Sequence, residues 1–497
     1  MPVAAETSEN AIADARLAAE FADVVEIRAD ALEPGEIANA LTTIRSEKPL
    51  LITYRPSGQG GYREISVDKR VKFWNGIGDL VDTSGLWFDR EGDLGGLVER
   101  GHNAVSISSF HDFDGVPADL DVIYERLTAD GDVAKIAVTA ADITDAIPVW
   151  KLLERAKSEN KQIIPIAMGE AGKWTRILGL AHGAFLTYAS LDARSETASG
   201  QITAKDMTET YRVRELDESY RVFGLIGHPV AQSLSPYMHN PAFVAAEINA
   251  VFIHLLVKNI DEFMRRMVLP NQREVELNFC GFAVTMPHKQ AIMKYLDTID
   301  ATAEKIGAVN TVKIDDGKLI GYNTDAHGFL KPLKANFGDM SNSRVAVFGA
   351  GGAARACVYV LKQEGADVTV FARDLQKAEM FAAEFDVGYE SISTIEDQRS
   401  KIGFDILVDA TPLGMKGPHE NDSLFTAEQL VGVKFVFDLV TKSVDTPIIH
   451  EAKKAGVACL GGLEMLIAQG ARQFEIWTGR EAPVEVMRNS IIPRMEA

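Results

Sequence analysis

From the amino terminus to about residue 215, short runs rich in valine, isoleucine and leucine alternate with longer stretches whose apolar positions recur at helical spacing. The short runs are PVAA, VVEIRAD, LLITYR, GLWFDRE, AVSISSF, VAKIAVT, IIPIAM and AFLTYAS. Between them lie stretches such as DKRVKFWNGIGDLVD and DITDAIPVWKLLERAKSEN. Eight strand–helix repeats in so short a span predict an α/β fold that opens with an N-terminal (β/α)8 barrel, with a doubly wound open sheet as the alternative. The segment TAKDMTETYRVRELDESYR is charged and helix-prone and marks a domain boundary, after which VFGLIG opens a second series. Strands and helices then alternate to about residue 335. The stretch SRVAVFGAGGAARACVYVLKQEGADVTVFARD follows, with strand, glycine turn, helix and strand in the order of a Rossmann-type dinucleotide-binding unit. Near the end, GLEMLIAQGARQFEIWTG reads as an amphipathic helix that could return to the first lobe of this half. The predicted divisions are 1–215, 220–335, 336–460 and 461–497.

The chain has 497 residues, more than one core usually supports, which agrees with several domains. A net charge of −20 argues against a polyanion such as nucleic acid as partner and confines any basic site to a local pocket. Cys280, Cys357 and Cys459 are far apart, so neither a disulfide framework nor a metal site is expected, and a reducing cytoplasm fits best. The opening MPVAAETSEN has no basic region followed by an apolar core, and no apolar run is long enough to span a bilayer. Export and membrane anchoring are not expected.

One charge breaks the pattern. Lys135 stands inside VAKIAVT, a run that otherwise has the look of a buried strand, and an ammonium out of water is costly unless it is paired or deprotonated. Burial lowers a lysine pKa and leaves more of the neutral amine that attacks a ketone to give an imine. The protonated imine acidifies the neighbouring carbon, and a histidine such as His111 could remove that proton and later protonate a leaving hydroxyl. Glu26, Arg28, Arg55, His111, Met168 and Gln201 fall at the carboxyl ends of the strands or just beyond, the face on which barrels carry their active sites. Arg28, Arg55 and Arg176 suit a carboxylate or a polyhydroxylated ring. Taken singly, each residue has a plainer reading: a lysine that snorkels to solvent, or a loop histidine.

In order and at these intervals, VVEIRAD, TYRPSGQGG, SSFHDF, AKIAV, MGEAGKWTRILG and SETASGQI resemble type I 3-dehydroquinate dehydratase across essentially the whole first half. The resemblance implies that Lys135 forms the imine, that His111 is general acid and base, and that Glu26 assists it. It further implies that Arg28, Arg55, Arg176 and Gln201 hold the substrate. Near the last strand this chain has TASGQ where the family usually has a serine and a proline, so Thr197 stands in for the serine hydroxyl. The opening strand is also very short.

In the second half, GAGGAAR supplies Gly349 and Gly351 for a tight turn against pyrophosphate at a helix N-terminus, with Ala354 as the third small residue. Arg373, in FARD, occupies the strand end where an acidic residue would accept the adenine ribose hydroxyls. Arginine there suits a 2'-phosphate, hence NADP; a solvated surface arginine beside Asp374 is the plainer alternative. Around this unit, GHPVAQSLSPYMHN, GFAVTMPHKQ, KIGAVNTV, GYNTDAHGF, DATPLGM and GLEMLIAQGARQFEIWTG resemble shikimate dehydrogenase over nearly all of the second half. The resemblance implies that 220–335 is a shikimate-binding lobe, 336–460 an NADP-binding lobe and 461–497 a pair of helices returning to the substrate lobe. It implies that Ser233 and Ser235 bind the carboxylate, that Thr285, Asn310 and Gln469 bind ring hydroxyls, and that Lys289 with Asp325 is the catalytic pair. It implies cofactor contacts from Gly349, Ala350, Gly351, Gly352, Ala353, Arg373, Thr411, Met415 and Gly462. Ala283 and Thr441 depart from the family's usual asparagine and tyrosine, and quinate stays open as an alternative substrate.

The two resemblances support each other, because the product of the first reaction is the substrate of the second. Two other readings are a Schiff-base aldolase fused to a different NADP-linked reductase, and a silent sensor of metabolites. The first expects a phosphate-binding glycine loop late in the barrel, which YASLDARSETASGQI does not resemble. The second is disfavoured by retention of Lys135, His111, Lys289 and Asp325.

Overall fold

The computed structural model describes the chain except residues 45–47, 84, 99–103, 193–197, 394–402, 416, 442–444 and 496–497. It divides into two compact units, Met1–Tyr220 with Ile253–Asn278, and Arg221–Phe252 with Phe279–Ala497. Among the described residues no helix is long and apolar enough to cross a membrane.

In the first unit seven strands, Pro2–Val3, Val25–Arg28, Leu50–Thr53, Leu86–Glu91, Val105–Asp112, Val133–Thr139 and Gln162–Met168, pair in parallel and in sequential order. Sequential order belongs to a barrel; a doubly wound sheet reverses direction at a switch point. The expected eighth strand differs. Of AFLTYAS only Ala189–Ser190 is extended and paired, and its partner is Ile202–Thr203. The segment starts beside the seventh strand, where the Phe185 N–H donates to the Ile163 carbonyl, but the Thr187 hydroxyl then turns to the Arg176 carbonyl. The interior is filled by every second residue of the strands: Leu51, Ile107, Val133, Ala137, Ile164, Ile166 and Met168 pack with Tyr188. Lys135 lies between Val133 and Ala137 in that inward row, so the pleat alone directs it into the barrel.

The boundary segment is not a continuous helix. Asp206–Thr210 makes one wide turn closed by the Tyr211 N–H on the Asp206 carbonyl, and Arg212 at φ 50° ends it in the left-handed region.

The second unit carries two sheets. In the first, Arg221–Gly227 runs parallel to Phe279–Val284, which pairs antiparallel with Thr311–Asp315, followed by Lys318–Tyr322 and Thr298–Ile299. The second has six parallel strands in the order Gly388–Ser391, Asp367–Ala372, Arg344–Phe348, Ile406–Asp409, Phe435–Asp438, Ala458–Leu460. Numbered along the chain this is 3-2-1-4-5-6, the Rossmann order, whose switch point lies between Arg344–Phe348 and Ile406–Asp409. Helix Gly462–Thr478 packs on helix Asp325–Phe337. Its Gln473 and Trp477 donate to the Asn310 and Val312 carbonyls at 3.3 and 3.0 Å, which sets it against the first sheet of this unit.

Candidate active sites

The period of two that fills the barrel also builds its site. Glu26 and Arg28, Asp89 and Glu91, and Ser109 and His111 are inward pairs on three strands, and Arg55 follows a fourth. One small cavity is lined by Glu26, Arg28, Arg55, His111, Lys135, Arg176 and Gln201 together with Gln59 and Tyr188. Every residue singled out for this half is therefore brought together except Thr197, which lies outside the described residues. The side chain of Lys135 is 5% exposed and that of Asp89 0%, so their charges must be satisfied locally.

Lys135 Nζ lies 2.6 Å from Asp89 Oδ2 and 3.0 Å from the Tyr188 hydroxyl. Arg55 reaches the same Asp89 oxygen at 2.7 Å and Glu91 at 3.2 Å, while Arg70 links Glu91 to Asp93. One carboxylate oxygen is thus shared by two cations. Burial lowers the Lys135 pKa from its ordinary value; Asp89 works against this, and Arg55 adds to the depression. Burial would raise the Asp89 carboxyl, but Arg55 and then Lys135 hold it below the usual carboxylate range.

Arg55 Nη1 stands 3.1 Å from His111 Nε2. A guanidinium only donates, so Nε2 accepts, which assigns the ring proton to Nδ1. Burial, then Arg55 and Lys135, push the His111 pKa well below its usual value and keep the ring neutral. Its backbone N–H donates to Gln59 Oε1 at 3.0 Å. Arg28 is held by Asp30 at 2.7 and 3.0 Å and donates to the Gly60 carbonyl at 2.9 Å. Gly60 has φ +81°, and a Cβ there would come 2.5 Å from Phe113, so this turn requires glycine. Glu26 accepts from the Thr53 hydroxyl at 2.6 Å.

In the second unit Lys289 Nζ and Asp325 Oδ2 are 2.5 Å apart, with side chains 17% and 8% exposed. Asn310 Nδ2 donates to the other Asp325 oxygen at 2.8 Å and to the Thr324 hydroxyl at 3.0 Å, and Thr324 reaches Gln469 at 3.4 Å. Lys289, Asp325, Asn310 and Gln469 therefore form one chain of contacts. The Ser233 hydroxyl donates to Ser235 at 3.0 Å, and a Cβ on Gly227 would strike the Thr285 methyl group. Ala283 is buried on strand Phe279–Val284, and no polar atom of its side chain faces the site.

The glycine turn at the head of the second sheet is built for close approach. Gly349 has φ +111°, and a Cβ there would sit 2.8 Å from the Ala410 carbonyl. The helix Gly352–Gln363 begins directly beside the Lys289–Asp325 pair, since a Cβ on Gly352 would come 2.9 Å from Lys289 Cδ. Ala350, Gly351 and Ala353 complete the turn. Thr411, whose N–H donates to Asp409, and Met415 follow the next strand across the switch point. Gly462 lies against the Leu439 and Val440 carbonyls at 2.5 and 2.6 Å from a notional Cβ. Arg373 is exposed at its strand end, while Asp374 caps helix Leu375–Phe385 through the Lys377 N–H at 3.1 Å. That capping bond accounts for an acidic residue next to Arg373 without giving it a ribose to hold.

These geometries agree with the comparisons. The family model described as Type I 3-dehydroquinase matches residues 1–218, and those of the shikimate dehydrogenase substrate binding domain, Shikimate / quinate 5-dehydrogenase and the Shikimate 5'-dehydrogenase C-terminal domain match 225–312, 332–414 and 462–492. A chloroplastic bifunctional 3-dehydroquinate dehydratase/shikimate dehydrogenase of Arabidopsis thaliana is 33% identical over 98% of this chain and 82% of its own length. The chain belongs to this bifunctional family. A shikimate dehydrogenase (NADP(+)) of Methanopyrus kandleri is 41% identical over 56% of the chain and 98% of its own length. A crystal structure of shikimate dehydrogenase in complex with NADP+ is 39% identical over 56% of the chain and 97% of its own, with a TM-score of 0.51.

Sequence reasoning missed several members of this bifunctional chain's sites. Asp89 and Glu91 were signalled by their period of two in LWFDRE, and Tyr188 stands two residues before the end of AFLTYAS. A second buried carboxyl pair, Asp409 and Asp438, lies directly opposed on neighbouring strands of the second sheet. Burial and then Asp438 push Asp409 up to about 8, and burial pushes Asp438 to about 6.

Proposed function

We propose that this chain dehydrates 3-dehydroquinate to 3-dehydroshikimate in residues 1–215 and reduces that product to shikimate with NADPH in the remainder. Lobes 220–335 and 336–460 would take substrate and cofactor, and helices 461–497 would complete the substrate side. The observation that carries the reading is the enclosed Lys135, whose one carboxylate partner is shared with Arg55.

Its lowered pKa gives Lys135 a larger fraction of neutral amine than an exposed lysine has, and that amine attacks the ketone and forms an imine with loss of water. Substrate binding draws Arg55 onto the substrate's polar groups, which releases His111 Nε2. That nitrogen takes the proton from the carbon beside the imine and returns one to the departing hydroxyl. Glu26, Arg28, Arg176 and Gln201, with Thr197, orient the ring.

In the second site NADP supplies the hydride when bound. The residues present fit it: beside Gly351 a notional Cβ would meet nothing within 4 Å, which leaves room for close approach, the Gly352 helix end faces the turn, and Arg373 suits a 2'-phosphate. Lys289, held by Asp325, donates the proton to the ketone oxygen as charge develops on it. Ser233 and Ser235 take the carboxylate, while Thr285, Asn310 and Gln469 take hydroxyls. A cytoplasmic setting without nucleic-acid or membrane partners belongs to the same reading. It is supported by the net charge of −20 and the scattered thiols, although the Arabidopsis relative is chloroplastic.

Purified protein given dehydroquinate should develop the absorbance of a conjugated enone, and NADPH added afterwards should be consumed. Absence of either signal would remove the corresponding half of the reading.

A further inference from the structure

One contact of Lys135 has no part in the steps above. Tyr188 is 6% exposed, its hydroxyl is 3.0 Å from Lys135 Nζ, and the same nitrogen lies 4.3 Å from the centre of its ring. It lines the cavity with Lys135 and His111. His111 is turned toward Arg55, so among the described residues Tyr188 is the neutral hydroxyl in contact with the nucleophilic nitrogen, from which its oxygen accepts a hydrogen bond.

We propose that Tyr188 is a further catalytic residue of the dehydration, serving the making and breaking of the carbon–nitrogen bond at Lys135 while His111 serves the proton on the ring carbon. The proposal rests on the assignment of Lys135 as the imine-forming amine. In the first step the Nζ lone pair attacks the carbonyl carbon, the carbonyl π pair moves to oxygen, and a proton passes from nitrogen to that oxygen to give a carbinolamine. In the second, the carbon–oxygen bond breaks and its electron pair leaves with the hydroxyl, which takes the phenolic proton of Tyr188 and departs as water. The nitrogen lone pair closes the double bond, giving a protonated imine beside a tyrosinate. At the end of the cycle, water adds to the imine carbon and returns a proton to the tyrosinate, so Tyr188 is regenerated without an outside reagent.

Two features suit this role. The positive charge that appears on nitrogen as the proton leaves lies against the ring and oxygen that have become negative. Burial, then Glu26 and Asp89, raise the phenol pKa well above its usual value, so Tyr188 enters each cycle protonated.

The test is the rate at which borohydride-trappable adduct accumulates on Lys135 in a single turnover, read by mass spectrometry. Tyr188→Phe keeps the ring and removes the hydroxyl. It should slow trapping at saturating dehydroquinate at least tenfold, with kcat falling in parallel and KM changing less than twofold. Replacing Tyr188 by 3-fluorotyrosine keeps the packing and makes the phenol more acidic, and the trapping rate should change with it. An adduct formed on Lys135 at the wild-type rate in Tyr188→Phe, or a rate indifferent to fluorination, overturns the proposal and leaves the Lys135 assignment standing. An adduct on a different lysine overturns that assignment instead.

Discussion

Both halves of the chain use a lysine paired with an aspartate, and what surrounds each pair sets them apart. Around Lys135 the aspartate oxygen is shared with Arg55, and burial is nearly complete. Around Lys289 the second oxygen of Asp325 is taken by a neutral amide, Asn310, and the lysine keeps some exposure. A competing cation in a dry interior lowers a lysine toward the free amine that a nucleophile requires. A neutral neighbour does not compete, so the ion pair is left intact as a held proton donor. In the proposed function the same two residue types thus serve covalent chemistry in one unit and proton delivery in the other.

The comparison breaks most completely at Asp89. Asp89→Asn takes the carboxylate from Lys135 and leaves Arg55 with Glu91 alone, and breaking a buried pair of this kind costs about 3–5 kcal/mol. Dehydration should be lost and the first melting transition lowered, while reduction of added dehydroshikimate stays near wild type. The check is a thermal melt together with both activity assays. At Lys289 the effect is local: Lys289→Ala should abolish shikimate oxidation and leave dehydration almost intact, measured by NADPH formation and enone absorbance. His111→Ala should lower dehydratase kcat roughly 10²- to 10⁴-fold yet still give a borohydride-trapped adduct, which separates the base from the nucleophile.

Smaller effects sharpen the contrast from the cofactor side. Arg373→Ala should erode the preference for NADPH over NADH by about tenfold, since a charge-assisted contact to a phosphate contributes on the order of 1.5–3 kcal/mol at most. Unchanged kcat/KM ratios for the two cofactors would contradict it. The Asp409–Asp438 pair yields a pH effect. The fold raises the Asp409 pKa to about 8, so the stability this carboxyl contributes is complete below the usual carboxylate value and is lost as pH rises through about 8. Asp409→Asn removes the like-charge conflict, keeps an acceptor for the Thr411 N–H, and should raise stability at pH 8 by roughly 1 kcal/mol with a flatter pH profile.

Much of this was legible in the residues. The strand VAKIAVT is found at Val133–Thr139 as written, and seven of the eight expected barrel strands pair in chain order, because a fully buried parallel strand is a continuous apolar run that sequence pattern detects well. The eighth was harder. AFLTYAS has the alternation of a strand, but the Thr187 side chain bonds a carbonyl outside the ladder and shortens it, an interaction set by tertiary contact. The charged boundary segment looked helical by composition and is a single turn, ended where Arg212 enters the left-handed region, although Ala204, Met207 and Tyr211 are buried. Asp89 was hidden for a related reason. An acid within LWFDRE does not by itself show which way it points, and the sheet register sets it level with Ile107 and Val133 on the inward row that also carries Lys135. Arg373 was legible as an exposed arginine at its strand end, whereas the capping use of Asp374 needed the backbone.

The most direct test is NADPH consumption by Lys135→Ala supplied with dehydroquinate and, separately, with dehydroshikimate. The account expects no consumption with the first and the wild-type rate with the second. Consumption from dehydroquinate would show that Lys135 is not the amine that carries dehydration. Loss of the rate with dehydroshikimate would show that the two lysines do not work as separate sites.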